Sequence, residues 1–189
     1  MKKLNRKGFT LIELLAVITI LGILMLVAIP AVSRTIENSR RDTFADLGTT
    51  YIRTVRNAVI ADELTCDGKN ASATTAGTYY FKISTVDGDS GFQQTTDIME
   101  KSGKSSWGKN DVRGYVKWVK EAKTGDTESG FTTTYSIYLV DSGLHGIDVE
   151  KEEKDVIRSN VKVKATVEND NFANVLQAPT SGTECTLNK

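Results

Sequence analysis

A chain of 189 residues has room for one domain of ordinary size plus an appendage. Lys+Arg and Asp+Glu each total 24, so the formal charge is zero, and the excess of basic residues that marks a nucleic-acid-binding protein is missing. One His and two Cys are too few for a zinc site or an iron–sulfur cluster, so neither a metal nor a cofactor is expected. A mean hydropathy of -0.27 excludes a bundle of membrane spans.

The averages conceal a sharp asymmetry along the chain. Residues 1–8 carry Lys2, Lys3, Arg6 and Lys7 and no acid. From Phe9 to Ser33 the only charge is Glu13, and only Thr19 and Gly22 dilute the apolar run from Leu14 to Ile29. About 20 apolar residues cross the hydrocarbon core of a bilayer. The basic end then stays on the cytoplasmic side and the remainder lies outside. An ordinary secretory signal, cut after small residues near Ala31-Val32-Ser33, would begin in the same way. Two features count against it. A carboxylate inside an apolar run has a cost and no use in a disposable signal. The helical pattern also continues past Ser33: Val32, Ile36, Phe44, Leu47, Tyr51, Val55 and Val59 recur as one apolar helix face. That face needs a soluble partner. Pro30 lacks a backbone donor and crowds the carbonyl of Leu26, so a bend or a locally weakened ladder is expected there, with Gly22 a second soft point; the proline also fits the place where the helix leaves the bilayer.

Lys7-Gly8-Phe9-Thr10-Leu11-Ile12-Glu13-Leu14, after a short basic leader and before the apolar run, resembles the signature of type IV prepilins. The related pseudopilins of type II secretion and DNA-uptake systems share it. The resemblance covers about the first 30 residues and implies several things. A membrane prepilin peptidase cuts between Gly8 and Phe9, and the new Phe9 amine is N-methylated. The subunit then leaves the membrane through an assembly platform and joins other subunits in a filament, where Glu13 pairs with the Phe9 amine of a neighbour. Four residues separate Phe9 from Glu13, so Glu13 neutralising the amine of its own helix stays open beside that pairing.

Beyond Gly68 the composition shifts to Thr, Ser, Gly, Lys and Asp, interrupted by short alternating runs. Thr78 to Ser84 and Tyr115 to Lys120 read as strands, the second with Val116 and Trp118 on one face and Tyr115 and Val119 on the other. Phe131 to Asp141 reads as a strand with Tyr135, Ile137 and Leu139 on one face. Val161, Val163, Ala165 and Val167 alternate with polar residues in the clearest period of two in the chain. Residues 124–130 read as a hairpin turn, and 95–101 as a short helix closed by Gly103. The expected fold is α+β: a long N-terminal helix, transmembrane in its first half and amphipathic in its second, packed on a small antiparallel sheet as in the pilin roll. The helix–sheet core is expected to hold Phe44, Leu47, Tyr51, Val55 and Val59. The expected divisions are a leader over 1–8, an assembly half over 9–33 and a globular part over 34–189.

Cys66 and Cys185, in an outward-facing compartment with an even cysteine count, favour a disulfide over two free thiols in a reducing habitat. Asp87-Gly88-Asp89-Ser90-Gly91 fails the EF-hand spacing, because Gly91 and Ile98 fall where ligands belong. His145 lacks a second His or a nucleophile in recognisable spacing, and Asn70-Ala71-Ser72 is a formal glycosylation sequon. Trp118 is expected in the core, Trp107 in the core or as an adhesive surface residue, and Glu150 to Asp155 in a solvated turn or an exposed helix turn. No active site is expected. The sequence thus reads as a non-enzymatic pilus subunit, membrane-held and then extracellular, serving adhesion, motility or biofilm formation. The alternatives are a pseudopilin and, in a different class, a singly anchored surface enzyme or binding domain.

Overall fold

The computed structural model describes residues 9–89, 92–94, 103–108, 110–123, 130–176 and 178–188. The leader over 1–8, the short helix expected over 95–101 and the 124–129 part of the turn lie outside these residues. Packing divides the chain into two units, Met1–Ser39 and Arg40–Lys189. The expected boundary between residues 33 and 34 falls inside the first.

Helix α1 (Leu11–Ile60) is the regular structure of the first unit's described residues, and its later turns open the second. Within the first unit its large apolar side chains are exposed, from Leu11 at 83% to Ile36 at 47%. Its most apolar 18-residue window has a mean hydropathy of 2.8 and none of it is buried. Helical structure continues without a break through Gly22 and Pro30.

In the second unit α1 packs on a mostly antiparallel sheet, giving an α+β fold. The strands are β1 (Leu64–Cys66), β2 (Lys69–Asn70), β3 (Gly77–Ser84), β4 (Gln93–Gln94), β5 (Val112–Ala122), β6 (Phe131–Asp141), β7 (Gly146–Glu152) and β8 (Thr183–Leu187). Their order is β2-β1-β8-β3-β5-β6-β7, with β4 paired to β3. The β5–β6 hairpin is antiparallel from Val112↔Asp141 to Ala122↔Phe131 and is closed by the Lys123 N–H donating to Gly130 O at 2.9 Å. Two pairs are parallel, β3 with β4 and β3 with β8.

Alternation decides what each face buries. Phe44, Tyr51, Ile52, Val55 and Val59 of α1 meet Phe81, Val116, Trp118, Ile137 and Leu139 of the sheet in one buried cluster, with Leu47 half-buried at its margin. Fully burying each such side chain contributes about 1.5–3 kcal/mol. Gly48 lets the helix approach closely: a Cβ there would lie 3.2 Å from Val156 and 3.4 Å from Ile147. Gly114 does the same inside the sheet, where a Cβ would stand 2.0 Å from the carbonyl oxygen of Tyr138.

The opposite face holds a second, smaller core of Tyr115, Tyr138 and Val140 under Ala165, Val167 and Val175. The Tyr115 and Tyr138 rings stack with centroids 5.6 Å apart. Burial, and next the Glu150 carboxylate, push the Tyr115 hydroxyl far above its ordinary range, so it stays protonated and donates to Glu150 at 3.3 Å.

This second core corrects the strand expected over 161–167. Lys162 exchanges both backbone bonds with Gly146, and the Ala165 N–H then donates to Leu144 O. Val161 belongs to the helix-side core, whereas Ala165 and Val167 belong to the other one. The segment therefore crosses the β7 edge of the sheet, and its alternation serves two faces instead of one ladder. The charged run is corrected in part: Glu150 to Glu152 close strand β7 and only Glu153–Asp155 make a 3-10 turn. Charges on that outer strand discourage pairing with a foreign strand.

Candidate assembly and processing site

Phe9 is 88% exposed immediately before α1. Thr10 and Glu13 form a reciprocal cap on the first turn. The Thr10 N–H donates to Glu13 Oε2 at 2.8 Å, the Thr10 hydroxyl donates to the same oxygen at 2.8 Å, and the Glu13 N–H reaches Thr10 Oγ1 at 3.4 Å. This is a capping box, with Thr before the first turn and Glu three residues on. Thr10 was not singled out from the sequence, although the Thr10-Leu11-Ile12-Glu13 spacing is its signal. In lipid no water satisfies the free N–H groups of a helix start, so a local acceptor has particular value there.

Further along, the Thr19 hydroxyl donates to Ala16 O at 2.8 Å and the Thr35 hydroxyl to Ala31 O at 3.0 Å. Both hydroxyls are thereby satisfied on their own helix. Among the described residues of this stretch, Glu13 is the single charge before Arg34. What the stretch offers chemically is an apolar rod carrying one carboxylate at its start.

The remaining candidates are structural. Cys66 and Cys185 are joined across 119 residues, on directly opposed positions of the antiparallel β1–β8 pair, and both are buried. Asp89 cannot serve a calcium loop, because Arg113 grips both its oxygens at 2.7 and 2.8 Å and the Ser84 hydroxyl donates to it at 2.6 Å. His145 sits in the β6–β7 turn with Nδ1 2.9 Å from the buried Asp141 carboxylate and its ring stacked on Trp107 at 4.5 Å. Trp107 and Trp118 are both buried, Trp107 also against Phe44. Asn70 is exposed on β2. Lys120 is buried and donates to the carbonyls of Ser72 and Thr74 at 3.0 and 2.9 Å, pinning the turn after β2. Among the described residues no three His, Cys, Asp or Glu side chains are grouped to hold a metal ion.

A family model described as the prokaryotic N-terminal methylation motif matches residues 3–29, which contain Gly8, Phe9, the Thr10–Glu13 cap and most of the apolar stretch. It is the type IV pilin/prepilin signature and supports a type IV pilin-like or pseudopilin protein, cut by a prepilin peptidase and assembled into pilin-like filaments. With the apolar helix it fits membrane anchoring before assembly. No curated protein and no solved structure matches the chain.

Proposed function

We propose that this chain is a structural, non-enzymatic subunit of a type IV pilus, held in the membrane by residues 9–33 until assembly and extracellular afterwards. The observation that carries this reading is the motif over residues 3–29 running into one helix, α1, whose later turns are the core of a folded unit. A mere tether would not need its helix inside the domain core. Cleavage after Gly8 would free an amine at Phe9, and Glu13 of a neighbouring subunit is the carboxylate suited to receive it. Buried between helices, such a pair gains attraction from the low dielectric and leaves a penalty wherever it is unmatched.

The test is mass analysis of the N-terminus of material sheared from the cell surface. The expected species begins at Phe9 with a methylated amine and comes from long filaments that vanish with the gene. Intact Met1, or a start near Arg34, refutes the reading. Correct processing without surface filaments points instead to a pseudopilin.

A further inference from the structure

We propose that the outward face of the second half of α1 docks a second copy of this chain, with Asp46 of one copy against Arg53 of the next. This rests on the filament reading, which orients every copy alike. Asp42, Asp46, Thr50, Arg53 and Asn57 are exposed on this part of α1 and recur every three or four residues, so they form one outward stripe. Asp42 is engaged by Arg158 at 3.2 Å. Asp46 and Arg53 have no ionic or hydrogen-bonded side-chain partner among the described residues. Seven residues separate them, close to two full turns and about 10 Å of rise, so they share a side but cannot reach one another. Each copy therefore shows an unmatched negative and an unmatched positive charge on one line of one helix. Between them only the short side chain of Thr50 stands outward, and Asn57 follows one turn beyond Arg53, leaving room for a neighbouring helix. Parallel copies displaced by about 10 Å along that line match every Asp46 with an Arg53, and an unshifted parallel pair sets like charges together.

Charge exchange in the full-length chain tests this. Asp46→Arg and Arg53→Asp, each made alone, are expected to lower the yield of sheared filaments by roughly fivefold or more, since reversal replaces an attraction with a repulsion. Membrane level and cleavage after Gly8 should not change. The double variant carries the pair in reverse and is expected to restore the yield. As a second readout, Asp46→Cys with Arg53→Cys should give, on oxidation of filaments, a ladder of linked chains longer than two. Rescue or such a ladder supports the contact. Wild-type yield from both single variants, bands of two copies only, or absence of both rescue and ladder overturns it. A wild-type chain that forms no filament at all removes the filament reading itself, and this contact with it.

Discussion

Glu13 has two separable properties, a shape that caps α1 and a charge that does not belong in lipid. Both Thr10 donors rest on one of its oxygens. Glutamine at the same place can still accept from Thr10, because the capping box tolerates Gln in the Glu position. Glu13→Gln therefore isolates the charge. Membrane insertion and cleavage after Gly8 should persist in that variant, while filament yield collapses by an order of magnitude or more. Immunoblots of membrane and sheared fractions measure both. Undiminished filaments from the Gln variant would reduce Glu13 to a helix-start residue.

At the scale of elements, the second half of α1 is the cover of the sheet. A chain beginning at Arg34 keeps Phe44, Tyr51, Ile52, Val55 and Val59, which are buried to 7% exposure or less. It is expected to be soluble, monomeric and cooperatively folded, as read by circular dichroism on heating. A chain beginning beyond Val59 loses burial worth on the order of 10 kcal/mol, comparable with the whole stability of a domain at about 5–15 kcal/mol. It should not fold, and a cooperative melt would disprove the helix–sheet packing. The stripe behind this expectation was legible in the sequence because its spacing survives any choice of partner. So were the face of β6, where Tyr135, Ile137 and Leu139 alternate with polar neighbours, and, through a less perfect alternation, the Val116 and Trp118 face of β5. Residues 161–167 misled because alternation records burial and not hydrogen bonding: one bridge at Lys162 is all the ladder they make. Strands β1, β2, β4 and β8 have two to five residues each, too few to set up a period. The second core was hidden for a different reason. Its lid, from Ala165 to Val175, is irregular chain with 3-10 turns and has no repeat to read.

For the folded unit as a whole, the Cys66–Cys185 bond reinforces a margin of the sheet that shares few strand pairings with the rest. Among the described residues, β1 and β2 pair with the rest of the sheet through β8 alone, and β8 meets β3 over two residue pairs, Tyr79↔Thr183 and Tyr80↔Glu184. The Lys82–Glu184 ion pair at 3.0 Å and the Asn188 N–H on Glu63 O at 2.8 Å assist it. Closing a loop of 119 residues stabilises by about 4–5 kcal/mol in the chain-entropy view. Replacing both cysteines with serine should lower the melting temperature by roughly 10 °C or more. Hydrogen exchange should quicken first in β1, β2 and β8 while β5 and β6 stay protected. Uniform loss of protection would show that the bond supports the entire core and not this margin.

The insertion of β8 also sets an order of events during synthesis. β1 and β3 flank it in space, yet Cys66 leaves the ribosome 119 residues before Cys185. All of β5, β6 and β7 are made in the interval, and until β8 arrives the edge of β1 and the Tyr79–Tyr80 stretch of β3 lack their strand partner. Pairings over such separations form slowly, because a long loop must close before any contact rewards it. The hairpins can therefore mature early, but the β1–β2 margin joins the long strands of the sheet at a late step. A sulfur–sulfur link between β1 and β8 can form only once Cys185 has been made, so its presence on a subunit is a chemical record that synthesis had passed through β8.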